Sequence, residues 1–161
     1  RQVCLPMQEI SDVSALSSLQ NLEILDLRNN PVEDLSPLGG LAFLKRVCLY
    51  DTRVTDLSPL KSCPMLADLN AGKLPVRTLS AFEGFLSLER LALCETPLQS
   101  LAGIDRLPRL RSLELTGVGD GDLTPLLSLP NLKDVTLGED LRPLGDALAA
   151  EAGFSISYRP S

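Results

Sequence analysis

The chain contains no histidine and no tryptophan, and aromatic residues make up only 4% of its 161 positions. Without histidine, neither a Ser-His-Asp nor a Cys-His arrangement for nucleophilic catalysis can form. Lysine and arginine are also outnumbered, 15 against 21 aspartates and glutamates, so the net charge is −6. Because nucleic acids are held by clustered basic residues, this balance argues against a DNA or RNA partner.

Other functional classes lack their sequence signals as well. No stretch approaches the roughly 18 consecutive apolar residues of a membrane-spanning helix, and no signal-peptide pattern is present. The G-x-G-x-G run that begins at Gly117 has no lysine to support a phosphate loop. Paired carboxylates on an open surface lack the enclosed pocket that shifts a pKa. We therefore expect no enzyme activity, no cofactor, no metal site and no membrane insertion.

What the chain has in abundance is leucine at regular spacing. From Leu19 it divides into uninterrupted blocks of 22 residues, of which the first two read LQNLEILDLRNNPVEDLSPLGG and LAFLKRVCLYDTRVTDLSPLKS. Apolar residues recur at block positions 1, 4, 7, 9, 14, 17 and 20, and residues 1–18 fit positions 5 to 22 of an earlier block. One such unit cannot bury its own leucines, so the units must stack into a solenoid.

Each block can be divided into a strand, a turn and a short helical piece. Positions 6 to 10 alternate with period two, which predicts a half-buried strand. Asn30 follows the first full strand, where its amide can bond neighbouring backbone groups. Serine is a favoured cap and proline a favoured first helical residue, so Ser36-Pro37, Ser58-Pro59 and Thr124-Pro125 each predict the start of a short 3₁₀-like turn.

Departures from the repeat predict local differences. Ala71 and Gly72 replace a leucine and a side chain, so we expect a thinner strand face there. At residues 117–121 an aspartate takes an apolar position, and we expect Val118 to turn inward instead. The domain boundaries that follow are a partial repeat over 1–18, repeats over 19–137 and a C-terminal cap over 138–161. Within the cap we expect a helix over 143–152, ended by Gly153, and a strand over 154–158.

The pattern L-x-x-L-x-x-L-x-L-x-x-[N/T]-x-V-x-D-L-x-P-L resembles the short, 22-residue class of leucine-rich repeat. That class occurs in protein phosphatase 1 regulators, in bacterial internalins and in the sensor arms of NTPase receptors. The resemblance implies an α/β, right-handed solenoid with a parallel sheet on its concave face, short 3₁₀ turns on its convex face and a helix–strand cap at the C-terminus. It also implies binding of a protein partner, which the sequence does not identify.

Three contexts remain open for such a module. Because the repeat frame starts in mid-repeat, we expect a fragment of a larger protein. The first context is the ligand-sensing arm of an intracellular, bacterial NTPase receptor of the immune type. The second is a docking subunit like the phosphatase regulators, and the third is a secreted adhesion repeat like the internalins.

The cysteines favour an intracellular location. Cys4 and Cys48 share position 8 two repeats apart, so roughly 10 Å separates them at the spacing of neighbouring strands. A disulfide needs Cα atoms within about 7 Å. Cys63 and Cys94 fall on different faces of the repeat. We therefore predict four free thiols and a reducing, cytoplasmic compartment.

The outward strand positions 6, 8 and 10 supply the candidate binding surface. Tyrosine and arginine are enriched at interface hot spots, and an exposed isoleucine beside them has no folding reason. We expect affinity to reside in the N-terminal half of the concave face, with Phe43 at its flank, and a small, acidic surface around Glu114, Asp134 and Glu139. The candidate residues are Ile24, Asp26, Arg28, Arg46, Cys48, Tyr50, Asp68 and Arg90.

Overall fold

A computed structural model describes residues 1–160 and contains one open, eight-stranded, parallel sheet. The strands follow one another in chain order: β1 Gln2–Cys4, β2 Ile24–Asp26, β3 Arg46–Cys48, β4 Asp68–Asn70, β5 Arg90–Leu93, β6 Ser112–Leu115, β7 Asp134–Gly138 and β8 Ser155–Arg159. From β1 to β7 each residue pairs with the one 22 places later, as Ile24 does with Arg46. This pairing confirms the 22-residue repeat frame that the sequence predicts.

A second layer of short turns runs behind the sheet. The 3₁₀ turns span Ser14–Ser18, Ser36–Leu38, Ser58–Ser62, Leu79–Phe82, Ile104–Arg106, Thr124–Ser128 and Glu139–Leu141, and the α-helix α1 spans Arg142–Ala149. No helix within residues 1–160 is both long and apolar enough to cross a bilayer.

The core lies between these two layers and consists mostly of leucine, with some valine. In the first full repeat the strand residue Leu25, the residue Leu27 just after the strand and the turn residue Leu38 are completely buried. Burying each such side chain stabilises the fold by about 1.5–3 kcal/mol before conformational entropy is counted. Because each repeat contributes apolar residues at equivalent positions, the core is continuous along the solenoid.

The 3₁₀ turns begin where predicted, but serine is not the cap. Ser36 is the first residue of its turn and Pro37 the second, and the preceding Leu35 makes no side-chain cap bond. Instead the Oδ1 of Asp34 accepts a hydrogen bond from the Ser36 backbone N–H at 2.8 Å. Equivalent bonds join Asp12, Asp56 and Asp122 to the residue two places later. An aspartate side chain readily accepts a hydrogen bond from the N–H two residues later, so the aspartate takes the capping role.

Asn30 bonds the backbone as predicted and links two repeats. Its Nδ2 donates to the carbonyls of Leu5 at 2.6 Å, Leu27 at 2.9 Å and Arg28 at 3.2 Å. Its Oδ1 accepts from the N–H groups of Gln8 and Ile10, each at 3.0 Å. Within residues 1–160, six non-glycine residues have a positive φ of 55–59°, and all lie in the segments that follow β1 to β5: Met7, Glu9, Asn29, Asp51, Lys73 and Glu95.

The two departures from the repeat pattern are resolved by neighbouring side chains. A Cβ on Gly72 would lie 2.6 Å from Cδ2 of Tyr50, so the tyrosine ring covers the thin stretch of sheet. Val118 packs against the core while Asp120 stays exposed, as expected.

The C-terminal cap has the predicted order of helix and strand with shifted limits. The helix ends at Ala149 rather than Ala152, so Gly153 lies in a bend instead of stopping the helix. The strand runs to Arg159 and pairs with β7, so it extends the sheet as well as covering the core. Residue 161, the last of the predicted cap, lies outside the described residues.

Candidate functional site

The outward face of the sheet is left open by the fold. α1 lies on the inward side, because a Cβ on Gly145 would meet Leu137 Cδ1 at 2.8 Å and the Tyr158 hydroxyl at 2.5 Å. The 3₁₀ turns contact one another on that side too. The outward side chains at repeat positions 6, 8 and 10 therefore form one continuous surface, which carries three shallow depressions.

The first depression holds half of the predicted residues. It has a volume of about 250 Å³ and is lined by Glu23, Ile24, Lys45, Arg46, Ala67, Asp68, Glu89 and Arg90. Asp68 stands between two arginines, with Arg46 Nε at 3.0 Å and Arg90 Nη1 at 3.8 Å from its Oδ2. Two guanidinium groups thus share one carboxylate, and each keeps unsatisfied N–H donors that face solvent.

The second depression lies at the centre of the face. Its volume is about 320 Å³, and its lining residues are Arg28, Asn29, Cys48, Tyr50, Asn70, Cys94, Glu95, Glu114 and Arg159. Tyr50 crosses it, and the tyrosine hydroxyl donates to Glu95 Oε1 at 2.6 Å. That bond, followed by burial, raises the pKa of Tyr50. The Lys73 ammonium lies 5.0 Å from the centre of the ring, within range of a cation–π contact.

Asp26 is largely buried and supports the side chain of Arg28. It is only 8% exposed and holds the Arg28 guanidinium in an ion pair. Burial opposes ionisation of Asp26, but the hydrogen bonds from Arg28 outweigh it and lower the pKa of the carboxyl. Cys48 lies on the next strand, where burial raises the pKa of its thiol. Asp26 therefore fixes the direction of Arg28.

The third depression, of about 410 Å³, reaches the C-terminal cap. Cys94, Glu95, Thr116, Gly138, Asp140, Arg159 and Pro160 line it. Arg159 Nη1 lies 3.2 Å from Cys94 Sγ and 3.3 Å from Glu114 Oε2. The end of the face expected to be acidic therefore carries a basic residue from the last strand.

The four thiols are all free, as predicted. Cys63 is buried in the core, while Cys48 and Cys94 line the sheet face. Within residues 1–160, no three side chains of the types that bind metals come together.

Comparisons with known proteins agree on the fold. A sequence model of two leucine-rich repeats matches residues 4–40, and no curated protein sequence matches the chain significantly. An internalin (inlF) from Listeria monocytogenes superposes with a TM-score of 0.75 at 21% identity, over 99% of this chain and 47% of that one. Internalin C2 from the same bacterium gives 0.66 at 21% identity, over 98% and 80%. A leucine-rich repeat protein from Leptospira interrogans gives 0.60 at 17% identity, over 91% and 34%.

The chain folds as a leucine-rich repeat protein. It spans about half of the first internalin and a third of the Leptospira protein. All three structures are less than 25% identical in sequence to this chain, so the similarity shows the fold alone.

The leucine-rich repeat frame explains which site residues the sequence could reveal. The repeat register places each predicted residue on the outward face. The first depression brings together Ile24, Arg46, Asp68 and Arg90, and the second brings together Arg28, Cys48 and Tyr50, while the buried Asp26 lines neither. The repeat frame also places Glu114 and Cys94 at outward positions, but neither is among the predicted binding residues. Arg159 lies beyond the repeats, so only the pairing of β8 with β7 brings it to this face.

Proposed function

We propose that this leucine-rich repeat chain binds another protein through the outward, concave face of its sheet. The observation that carries the proposal is the uncovered row of outward side chains, since the inward side of the same strands is packed by turns and by α1. A surface made of many strands offers contacts over a long distance while the repeats hold those contacts rigid.

The composition of the surface supports a protein as the partner. Arg28, Arg46, Arg90 and Tyr50 are of the residue types that dominate the binding energy of protein interfaces. Ile24 contributes an apolar side chain to the first depression. We propose that these residues, in the N-terminal half of the face, carry affinity.

An exposed apolar strip borders this half. Phe43 is 50% exposed and Met65 44% exposed, and the two occupy the same repeat position in adjacent repeats. Leu86, in the following repeat, is 63% exposed. Exposed apolar side chains that cluster on a protein surface are typical of contact sites, so we propose that these three residues extend the interface beyond the strands.

We further propose that the chain is the ligand-sensing arm of a larger intracellular protein. Four free thiols support a reducing compartment. The alternative is a secreted adhesion repeat, for which the similar internalins supply a precedent of fold alone. The full-length gene product separates the two, because an upstream nucleotide-binding domain favours the arm and a signal peptide favours adhesion.

The experiment that tests the binding face is affinity capture with matched variants. The wild-type chain, a sheet-face variant carrying Arg46→Glu and Tyr50→Ala, and a turn-side variant carrying Arg106→Glu are immobilised and exposed to lysate of the source organism. Arg106 pairs with Glu83 at 3.0 Å on the turn side, so its variant controls for a change of charge. A partner retained by the wild type and the turn-side variant but lost by the sheet-face variant is expected. A partner retained equally by all three contradicts the proposal.

A further inference from the structure

The central and third depressions join into one groove, here called the position-10 groove. Arg28, Asn29 and Tyr50 line its N-terminal end, and Arg159 lies toward its C-terminal end. Between them, position 10 carries the small residues Gly72, Cys94, Thr116 and Gly138. A side chain at Gly138 would meet the Cα and carbonyl oxygen of Thr116 at 3.0 Å, so the narrow floor depends on glycine.

A guanidinium group already occupies this groove. Arg159 leaves the last strand and reaches back along the floor to Cys94 Sγ at 3.2 Å and Glu114 Oε2 at 3.3 Å. The side chains of Arg159 and Glu114 remain 50% and 43% exposed, so the contact is open to competition from solvent or from another cation.

The remaining charges of the groove are acidic or already paired. Arg28 is bound to Asp26, and Lys73 bridges Asp51 at 3.4 Å and Glu95 at 3.8 Å on the rim. In the part of the chain that the structure describes, Arg159 is the only base paired with Glu114. If Arg159 swings out, the groove therefore presents an uncompensated carboxylate on a floor of small residues.

We propose that the position-10 groove receives an arginine side chain of the protein partner, in the place that Arg159 fills in the free chain. The inference rests on the proposed function, since it specifies the chemistry of the partner at that face. Arginine matches the site because its planar group donates several N–H bonds to a carboxylate at once. Arg159 acts as an internal competitor, so the partner binds only by displacing it.

The test uses a short peptide as the probe, acetyl-Gly-Arg-Gly-amide, and follows the backbone amide signals of Gly72, Thr116 and Gly138 by NMR titration. Removing the competitor with Arg159→Ala raises the affinity of the peptide about two- to fivefold, the range expected for loss of one exposed ion pair. Arg159→Gln, which keeps the length of the side chain but not its charge, gives the same increase. Adding Glu114→Gln to either variant reverses the gain.

Matched controls separate recognition of the guanidinium from a general change of charge. The same peptide with citrulline in place of arginine is neutral and binds no variant more tightly than the wild type. Arg106→Ala removes an arginine from the turn side, where it pairs with Glu83, and leaves the titration unchanged.

Two results overturn the proposal. The first is an affinity for the arginine peptide that Arg159→Ala and Arg159→Gln do not raise. The second is that acetyl-Gly-Glu-Gly-amide binds the wild type and Arg159→Ala abolishes this binding. Arg159 would then itself recognise an acidic partner. Both readouts use peptides alone, so they are independent of whether affinity capture retains a protein.

Discussion

Asn30 offers the sharpest test of how adjacent repeats hold together. Its amide bonds five backbone groups, all of them in the segments that follow β1 and β2. The carbonyl of Arg28 also accepts from the Met7 N–H, so it keeps a partner when the amide is removed. Asn30→Ala therefore orphans the N–H groups of Gln8 and Ile10 and the carbonyls of Leu5 and Leu27.

The expected cost follows from that count. A buried donor without a partner costs about 1–3 kcal/mol, so the two N–H groups together set a range of about 2–6 kcal/mol. Because Gln8 is exposed, water can reach its N–H, and we expect Asn30→Ala to lower the free energy of unfolding by about 2–4 kcal/mol.

The measurement combines urea unfolding with hydrogen exchange. Unfolding gives the loss of free energy, and exchange locates it, because the Gln8 and Ile10 amides should lose protection before the amides of the central strands. Thr52→Val is the matched control at the same position of the next repeat. Thr52 makes one side-chain bond, to the Leu49 carbonyl at 2.9 Å, so its loss costs about 0.5–1.5 kcal/mol. Equal effects of the two substitutions would refute the hydrogen-bond account.

Three further predictions concern the turns and the cap. Met7 has a φ of 55°, so Met7→Gly relieves left-handed strain and raises the free energy of unfolding by about 0.5–1 kcal/mol in urea denaturation, whereas Gln8→Gly does not. Burial, followed by the hydrogen bond to Asp146, raises the pKa of Tyr158 from 10.0 to about 12. The contribution of Tyr158 to stability is therefore complete below pH 10 and is lost as the pH rises through about 12. Phenolate absorbance should show this late titration, and Tyr158→Phe should remove it. Hydrogen bonds from the Ser36 hydroxyl and N–H lower the pKa of Asp34 from 3.8. The contribution of Asp34 to stability is therefore complete above pH 3.8 and is lost as the pH falls through the lowered pKa. Asp34→Asn should make stability depend less on pH in acid denaturation followed by circular dichroism.

The repeat frame made most of the fold predictable. A period of 22 with leucine at fixed positions determines which residues pair across strands, and Ile24, Arg46 and Asp68 lie side by side for that reason. Asn30 was also predictable, because an amide after a strand has backbone groups within reach.

Interactions between side chains at different repeat positions were not predictable in the same way. The tyrosine ring of Tyr50 lies over Gly72 in the next repeat, and nothing in either block indicates that direction. At the turns that begin at Ser36, Ser58 and Thr124, the cap depends on whether the aspartate or the hydroxyl residue bonds the N–H, which backbone dihedrals decide. Arg159 belongs to no repeat, so its contact with Cys94 follows only from the fold of the cap.

Whether the outward sheet face binds a protein is measured most directly by a calorimetric titration of this chain with the purified partner. We expect Tyr50→Ala to weaken binding at least about tenfold, as truncation of an interface hot spot does. Arg106→Ala on the turn side should leave the affinity unchanged. A loss of affinity in Arg106→Ala with none in Tyr50→Ala would place binding on the opposite face and contradict the account.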